Sequence, residues 1–215
     1  MIRILLVRHG QSIGNIKCVF CGTKDYPLTE AGKSQVDITG EYIYKNYKVC
    51  ALYSSELTRA KQTLEKMSNL SGLQINVNKA FNEIDGGLWE DETVPFIREH
   101  YPDDFKVWEE NTGESRPTGG ESFGEVLERA KKGLDEVAEK WNGADGVVVI
   151  ATHGGVIRAL TCTLRGFDKK EIKNIPWASN ASITEVIYDG GKYSIADKCK
   201  DDFLGDKKTQ MFMGL

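Results

Sequence analysis

Strands alternating with helices along most of the chain predict an α/β fold. The expected architecture is three-layer α/β/α, with a mainly parallel central sheet and a small helical cap insertion. Three observations carry this. The apolar runs at residues 2–7 and 147–152 are short and end at polar, glycine-bearing turns, as buried strands do. Between and after them lie amphipathic stretches of helical length with N-cap signals. The alternation breaks at about residues 90–118, which read as short helices laid over the sheet.

Each element has its own signature. Residues 2–7 form the first strand. A helix follows over 29–47 with Thr29 as N-cap, and residues 50–53 make a second short strand. Ser55 caps the next helix, which runs to about residue 70 with Leu57, Ala60, Leu64 and Met67 on one face. Ser122-Phe123-Gly124-Glu125 is a capping-box pattern that opens a long helix to about Trp141. Residues 147–152 are the clearest buried strand, and 156–164 the helix after it. Residues 182–188 and 192–196 pair as a hairpin through Gly190-Gly191. The charged stretch at Asp206-Lys207-Lys208 reads as a solvated tail.

Composition narrows the function classes. The chain has 215 residues, a size suited to one domain, here residues 1–215 with the cap inserted at about 90–118. With 28 basic and 32 acidic residues the formal charge is −4, which lacks the footprint of a general nucleic-acid binder. No apolar run approaches the ~20 residues that span a bilayer. Five scattered cysteines, an odd number, argue against a disulfide framework and for the cytoplasm. The expected partner is a small molecule, without nucleic acid or membrane, and a homodimer is left open.

The chemistry concentrates at strand ends. Arg8-His9-Gly10 ends the first strand, and His153-Gly154-Gly155 ends the strand over 147–152. Ligands of open α/β sheets bind at the carboxyl ends of strands. A single histidine is more often structural than catalytic. Two of them, each followed by a glycine that lets a ligand approach, point to a site. Arg8 and Arg59 add planar donor forks suited to phosphate, although Arg59 alone would read as a helix-surface residue. Other patterns carry less. Gly32-Lys33-Ser34 imitates a phosphate loop, but Pro27 stands where its first glycine belongs. Cys18 and Cys21 form a single CxxC without a second ligand pair. His100 reads as an exposed residue with no role.

These same residues carry a resemblance. Arg8-His9-Gly10-Gln11-Ser12, Asn15, Pro27-Leu28-Thr29-Glu30-Ala31-Gly32, Ser54-Ser55 with Leu57-Thr58-Arg59-Ala60, and Thr152-His153-Gly154-Gly155 stand in the order found in one family. The chain resembles the histidine phosphatase superfamily, the phosphoglycerate mutase-like proteins. The resemblance implies that His9 is a nucleophile that becomes a phosphohistidine. It implies that Arg8, Arg59 and His153 clamp the phosphoryl oxygens, helped by Asn15 and the Gly154 N–H. Glu83 matches the family's proton donor, with Asp85 and Glu90 as nearby alternatives. No cofactor and no metal are implied.

The family divides into phosphatases and mutases. Gly87-Leu88-Trp89-Glu90, Pro117-Thr118-Gly119-Gly120-Glu121-Ser122 and His153-Gly154-Gly155-Val156-Ile157-Arg158 resemble the phosphatase branch, including α-ribazole phosphatase-like proteins. The segment 90–118 holds nine acidic and three basic residues. If it caps the site, it offers little attraction to a bisphosphate; if its carboxylates face solvent, their charge does not bear on the ligand. The expected activity is metal-independent hydrolysis of a small phosphomonoester through phospho-His9. A 2,3-bisphosphoglycerate-dependent mutase is the alternative, and a non-catalytic phosphoryl-ligand sensor is a further one.

Overall fold

In the computed structural model, which describes residues 1–209, six strands form one sheet in the order β3–β2–β4–β1–β5–β6. They are β1 (Ile2–Arg8), β2 (Val49–Ser54), β3 (Ile75–Val77), β4 (Val147–Thr152), β5 (Ile183–Asp189) and β6 (Lys192–Lys200). The first four run parallel. β5 runs antiparallel to β1, and β6 antiparallel to β5, because a turn at Gly190 and Gly191, both at positive φ, returns the chain directly from β5 to β6.

The helices are α1 (Ile13–Lys17), α2 (Glu30–Asn46), α3 (Thr58–Ser71), α4 (Val94–His100), α5 (Pro102–Glu110), α6 (Phe123–Trp141) and α7 (Gly154–Leu164). Alternation along each strand sends side chains to two faces. Ile2, Ile4, Leu6, Val148 and Ile150 pack with α6 and α7 residues such as Leu134 and Leu160. Leu5, Val7, Leu52 and Val149 pack with Ile43, Ala60, Leu64 and Met67 of α2 and α3. Helices on both faces of a mostly parallel sheet make the three layers expected. α4 and α5 are held by Ile97, Phe105 and Trp108, which join Phe20, Trp89 and Phe123 in one core. None of the described helices is long and apolar enough to cross a membrane.

Two local expectations fail. α3 begins at Thr58 rather than behind Ser55, and Leu57 at its N-cap provides no capping side chain. Asp25 does so from 33 residues away, accepting from the Thr58 N–H at 2.6 Å and its hydroxyl at 2.7 Å. A carboxylate there also meets the positive end of the helix dipole. Asp206, Lys207 and Lys208 are solvent-exposed as expected, but the stretch that carries them is not a free tail. Residues 202–207 form 3-10 turns in which Leu204 is buried and Phe203 stacks on Tyr42, 4.4 Å between centroids. Two apolar residues ahead of the charged run hold it against α2.

Candidate active site

The register of the central strands assembles the site. β1 pairs Arg8 with Thr152 of β4, so His9 and His153, one residue on, leave the sheet side by side. Their ring centroids are 5.2 Å apart. β2 flanks β4 with Ser54 opposite Ala151, which delivers Ser55 to the same edge, and Arg59 follows in the first turn of α3. Gly10 makes the turn after His9 feasible. A Cβ there would lie 2.6 Å from the Gly32 carbonyl oxygen, closer than side-chain carbon tolerates.

Hydrogen-bond partners assign the imidazole tautomers. His9 Nδ1 lies 2.7 Å from the Gly10 carbonyl oxygen, which can only accept. Nδ1 therefore carries the proton, and Nε2 of the neutral ring holds the lone pair. Burial first, then Arg59 and Arg8, hold His9 well below its ordinary pKa of 6.5, so it is neutral at pH 7. His153 Nε2 lies 2.8 Å from Ser55 Oγ, which also accepts from the Leu57 N–H at 3.3 Å. A Ser55 hydroxyl that donates to Nε2 leaves the His153 proton on Nδ1. Burial, Arg59 and His9 hold this second imidazole low as well.

Both arginines are buried, each about 1% exposed. Arg8 Nη1 donates to the Ala178 carbonyl, and Arg59 donates to those of Lys24 and Gly22 at 2.7 and 2.8 Å. Burial pushes Arg8 down to about 10 and also lowers Arg59. Arg8 Nε, Arg59 Nε and His153 Nδ1 are buried without a partner among the described residues. Leaving one buried donor unpaired costs about 1–3 kcal/mol. Of the three residues, Arg8 and Arg59 line the cavity beside them, and His153 stands behind its wall.

Beside them lies a cavity of about 560 Å³, a volume ordinary for a small-molecule site. Arg8, His9, Asn15, Arg59 and Glu83 line it. Asn15 Oδ1 accepts from the Ser12 N–H at 3.0 Å and from Asn180 Nδ2 at 3.3 Å, which leaves the Asn15 NH2 free for a ligand. Glu83 Oε1 accepts from the Ile84 N–H and Oε2 from the Gly155 N–H, both at 3.1 Å. Asp85 and Glu90 do not line the cavity. Asp85 is exposed, and Glu90 Oε1 is engaged by the Thr23 N–H and hydroxyl and the Gly86 N–H. Gly154, the first residue of α7, stands behind Gly155, which does line it.

Of the remaining candidates, His100 falls elsewhere, whereas Cys18 and Cys21 both line the cavity. His100 is exposed and stacks on Phe96. Burial pushes the Cys21 thiol up to about 11. Cys18 is exposed, and among the described residues no cluster of three or more His, Cys, Asp or Glu is placed to hold a metal ion. The acidic residues of 90–118 do not line the cavity; Val94, Pro95 and Trp108 of that segment do. The charge bias expected of the cap therefore faces away from the ligand.

Sequence reasoning missed three residues. Asn180 Nδ2 donates to the His9 carbonyl at 3.0 Å, and Trp177 lines the cavity. Arg129 of α6 donates to the carbonyls of Ala80, Asn82 and Glu83 at 2.9, 2.7 and 3.1 Å, and pairs with Glu121 at 2.6 Å. None had a local signal, since Arg129 reads as one more charge on an amphipathic helix.

Fold and site together define an α/β protein with two histidines and two buried arginines gathered at the carboxyl ends of its parallel strands. The chain belongs to the histidine phosphatase superfamily (branch 1), which it matches over residues 4–200. It is 32% identical over 169 residues to phosphoserine phosphatase 1 of Hydrogenobacter thermophilus, covering 78% of each chain. Among solved structures it is similar to Bacillus stearothermophilus YhfR, with a TM-score of 0.87 and 26% identity over 93% of this chain and 98% of that one. It is also similar to a mycobacterial glucosyl-3-phosphoglycerate phosphatase in complex with VO3, with a TM-score of 0.85 and 27% identity over 93% and 100% of the two chains.

Proposed function

We propose that the protein hydrolyses small phosphomonoesters through a phosphohistidine on His9. One observation carries the reading: a neutral His9 whose Nε2 holds the lone pair, beside three buried, unpartnered donor nitrogens on Arg8, Arg59 and His153. Nε2 attacks phosphorus while the ester oxygen departs with a proton from Glu83. Charge on the transferring group is met by the two guanidiniums, His153 Nδ1–H, the Asn15 amide and the Gly154 N–H at the positive end of α7. The Glu83 carboxylate then takes a proton from water, which attacks the phosphohistidine. Phosphate leaves, and His9 and Glu83 return to their starting states.

The test is trapping with ³²P-labelled ester in an alkaline detergent quench, alongside His9→Ala. Wild type should yield a labelled, acid-labile protein and release phosphate in EDTA. The variant should keep its fold by circular dichroism and lose turnover by about a thousandfold or more. Turnover retained by His9→Ala overturns the mechanism. Isomerisation of 3-phosphoglycerate that depends on added 2,3-bisphosphoglycerate, with little phosphate release, would make the protein a mutase.

A further inference from the structure

Away from His9 the cavity changes character. Its far wall is Ile16, Val19, Phe20, Val94, Pro95 and Trp108, and among the described residues the charged side chains that line it are Arg8, Arg59 and Glu83. Both guanidiniums lie at the phosphoryl end and are already fixed on backbone carbonyls. The lysines of the neighbouring loop are engaged outside the cavity: Lys17 lies over the Tyr26 ring at 4.8 Å, and Lys24 pairs with Asp91 at 3.7 Å.

We infer that this cavity selects phosphomonoesters whose organic group is uncharged and apolar or aromatic, over those bearing a carboxylate. The inference rests on the hydrolase reading of the same site. A carboxylate entering here would lose its hydration and find no cation beyond those engaged by the phosphoryl group. Its one charged neighbour would be Glu83, of the same sign. An aromatic ring would instead leave water for contact with Phe20 and Trp108. The selectivity would come from an apolar wall and from a penalty on the wrong substrate, not from an added attraction.

Leaving-group chemistry is matched by comparing primary alkyl esters: 2-phenylethyl phosphate against O-phosphoserine and 3-phosphoglycerate. The phenylethyl ester should lead by about tenfold or more in kcat/KM, with most of the difference in KM. Equal or reversed values overturn the inference and leave the hydrolase reading standing. Calorimetric binding of 3-phenylpropylphosphonate and 2-amino-4-phosphonobutyrate, the non-hydrolysable counterparts, separates the two claims. Tighter binding of the aryl phosphonate without turnover of any ester would sink the hydrolase reading and support the selectivity. Val94→Lys, at a half-buried position on the apolar wall, gives a second arm. It should raise kcat/KM for 3-phosphoglycerate about tenfold and lower it for the phenylethyl ester; no change in the ratio counts against the inference.

Discussion

The Gly155 N–H donates to Glu83 Oε2 at 3.1 Å, and a methyl group on Gly155 would stand 2.4 Å from Glu83 Oε1. Gly155, the second residue of α7, thus holds the carboxylate proposed as the acid and leaves no room for a side chain of its own. Gly155→Ala should displace Glu83 and lower kcat for alkyl phosphates by about ten- to a hundredfold. p-Nitrophenyl phosphate, whose leaving group needs no proton, should lose much less. Glu83→Gln should show the same split. An equal loss on both substrates in either variant would remove Glu83 from the role of leaving-group acid.

Arg129 holds the backbone that carries this carboxylate, donating to the carbonyls of residues 80, 82 and 83. It touches no substrate in the proposed mechanism, so its role is positioning. Arg129→Ala should mimic Glu83→Gln in its leaving-group dependence at about a tenth of the effect, with little change in phosphate affinity. Loss of activity that is uniform across leaving groups would mean that Arg129 serves the fold alone.

Ser55→Ala should act through His153. Without the hydroxyl proton on Nε2 the imidazole is free to change tautomer, and the proton on Nδ1 is no longer assured. The site is buried, so stability should fall by about 1–3 kcal/mol as Nε2 and the Leu57 N–H lose their partner. Inhibition by vanadate should weaken about tenfold, and Ser55→Thr should restore part of it. Unchanged vanadate inhibition in a folded Ser55→Ala protein would contradict this.

His9 and His153 set an acid dependence. Both are held well below 6.5 in the fold, whereas the unfolded chain titrates near 6.5. On acidification the unfolded state takes up protons first. Their contribution to stability is therefore complete above about pH 7 and is lost as pH falls through 6.5, by about 1.4 kcal/mol per pH unit for each histidine. Urea midpoints between pH 5 and 7.5 should show this slope, and His9→Asn should reduce it by about half. The acid limb of kcat/KM should lie below 6.5 for the same reason, since neutral His9 persists there. Replacing Arg8 with Gln removes one of the charges that lower His9 and should move the limb upward.

Much of the fold was legible because its signals are local. The apolar runs at residues 4–7 of β1 and 147–151 of β4 are buried on both faces, and the Ser122/Glu125 box sits where α6 starts. β3 and α1, at three and five residues, are too short for any period to register. Ser55 misled because a serine ahead of an apolar helix face looks like a cap whether or not its hydroxyl is claimed elsewhere. Here His153 claims it, and Asp25 caps the helix from another loop. The acidic count of residues 90–118 misled for a related reason. Composition does not say which side of a helix faces a ligand, and in α4 and α5 the apolar side does.

By itself the sequence determined the chemistry on offer: two histidines and an arginine placed by strand ends and glycine turns, a second arginine in an expected helix, and an ordered set of motifs. Only the tertiary structure decided which atoms of those residues are usable. The β1–β4 register sets His9 beside His153, the Gly10 carbonyl selects the nucleophilic nitrogen, and Gly155 and Arg129 choose Glu83 from among three carboxylates. These are contacts between residues far apart in the chain, and their strength depends on burial that no single segment provides. A residue's type can be read from the sequence, but its proton, its partner and its exposure are set by what packs around it.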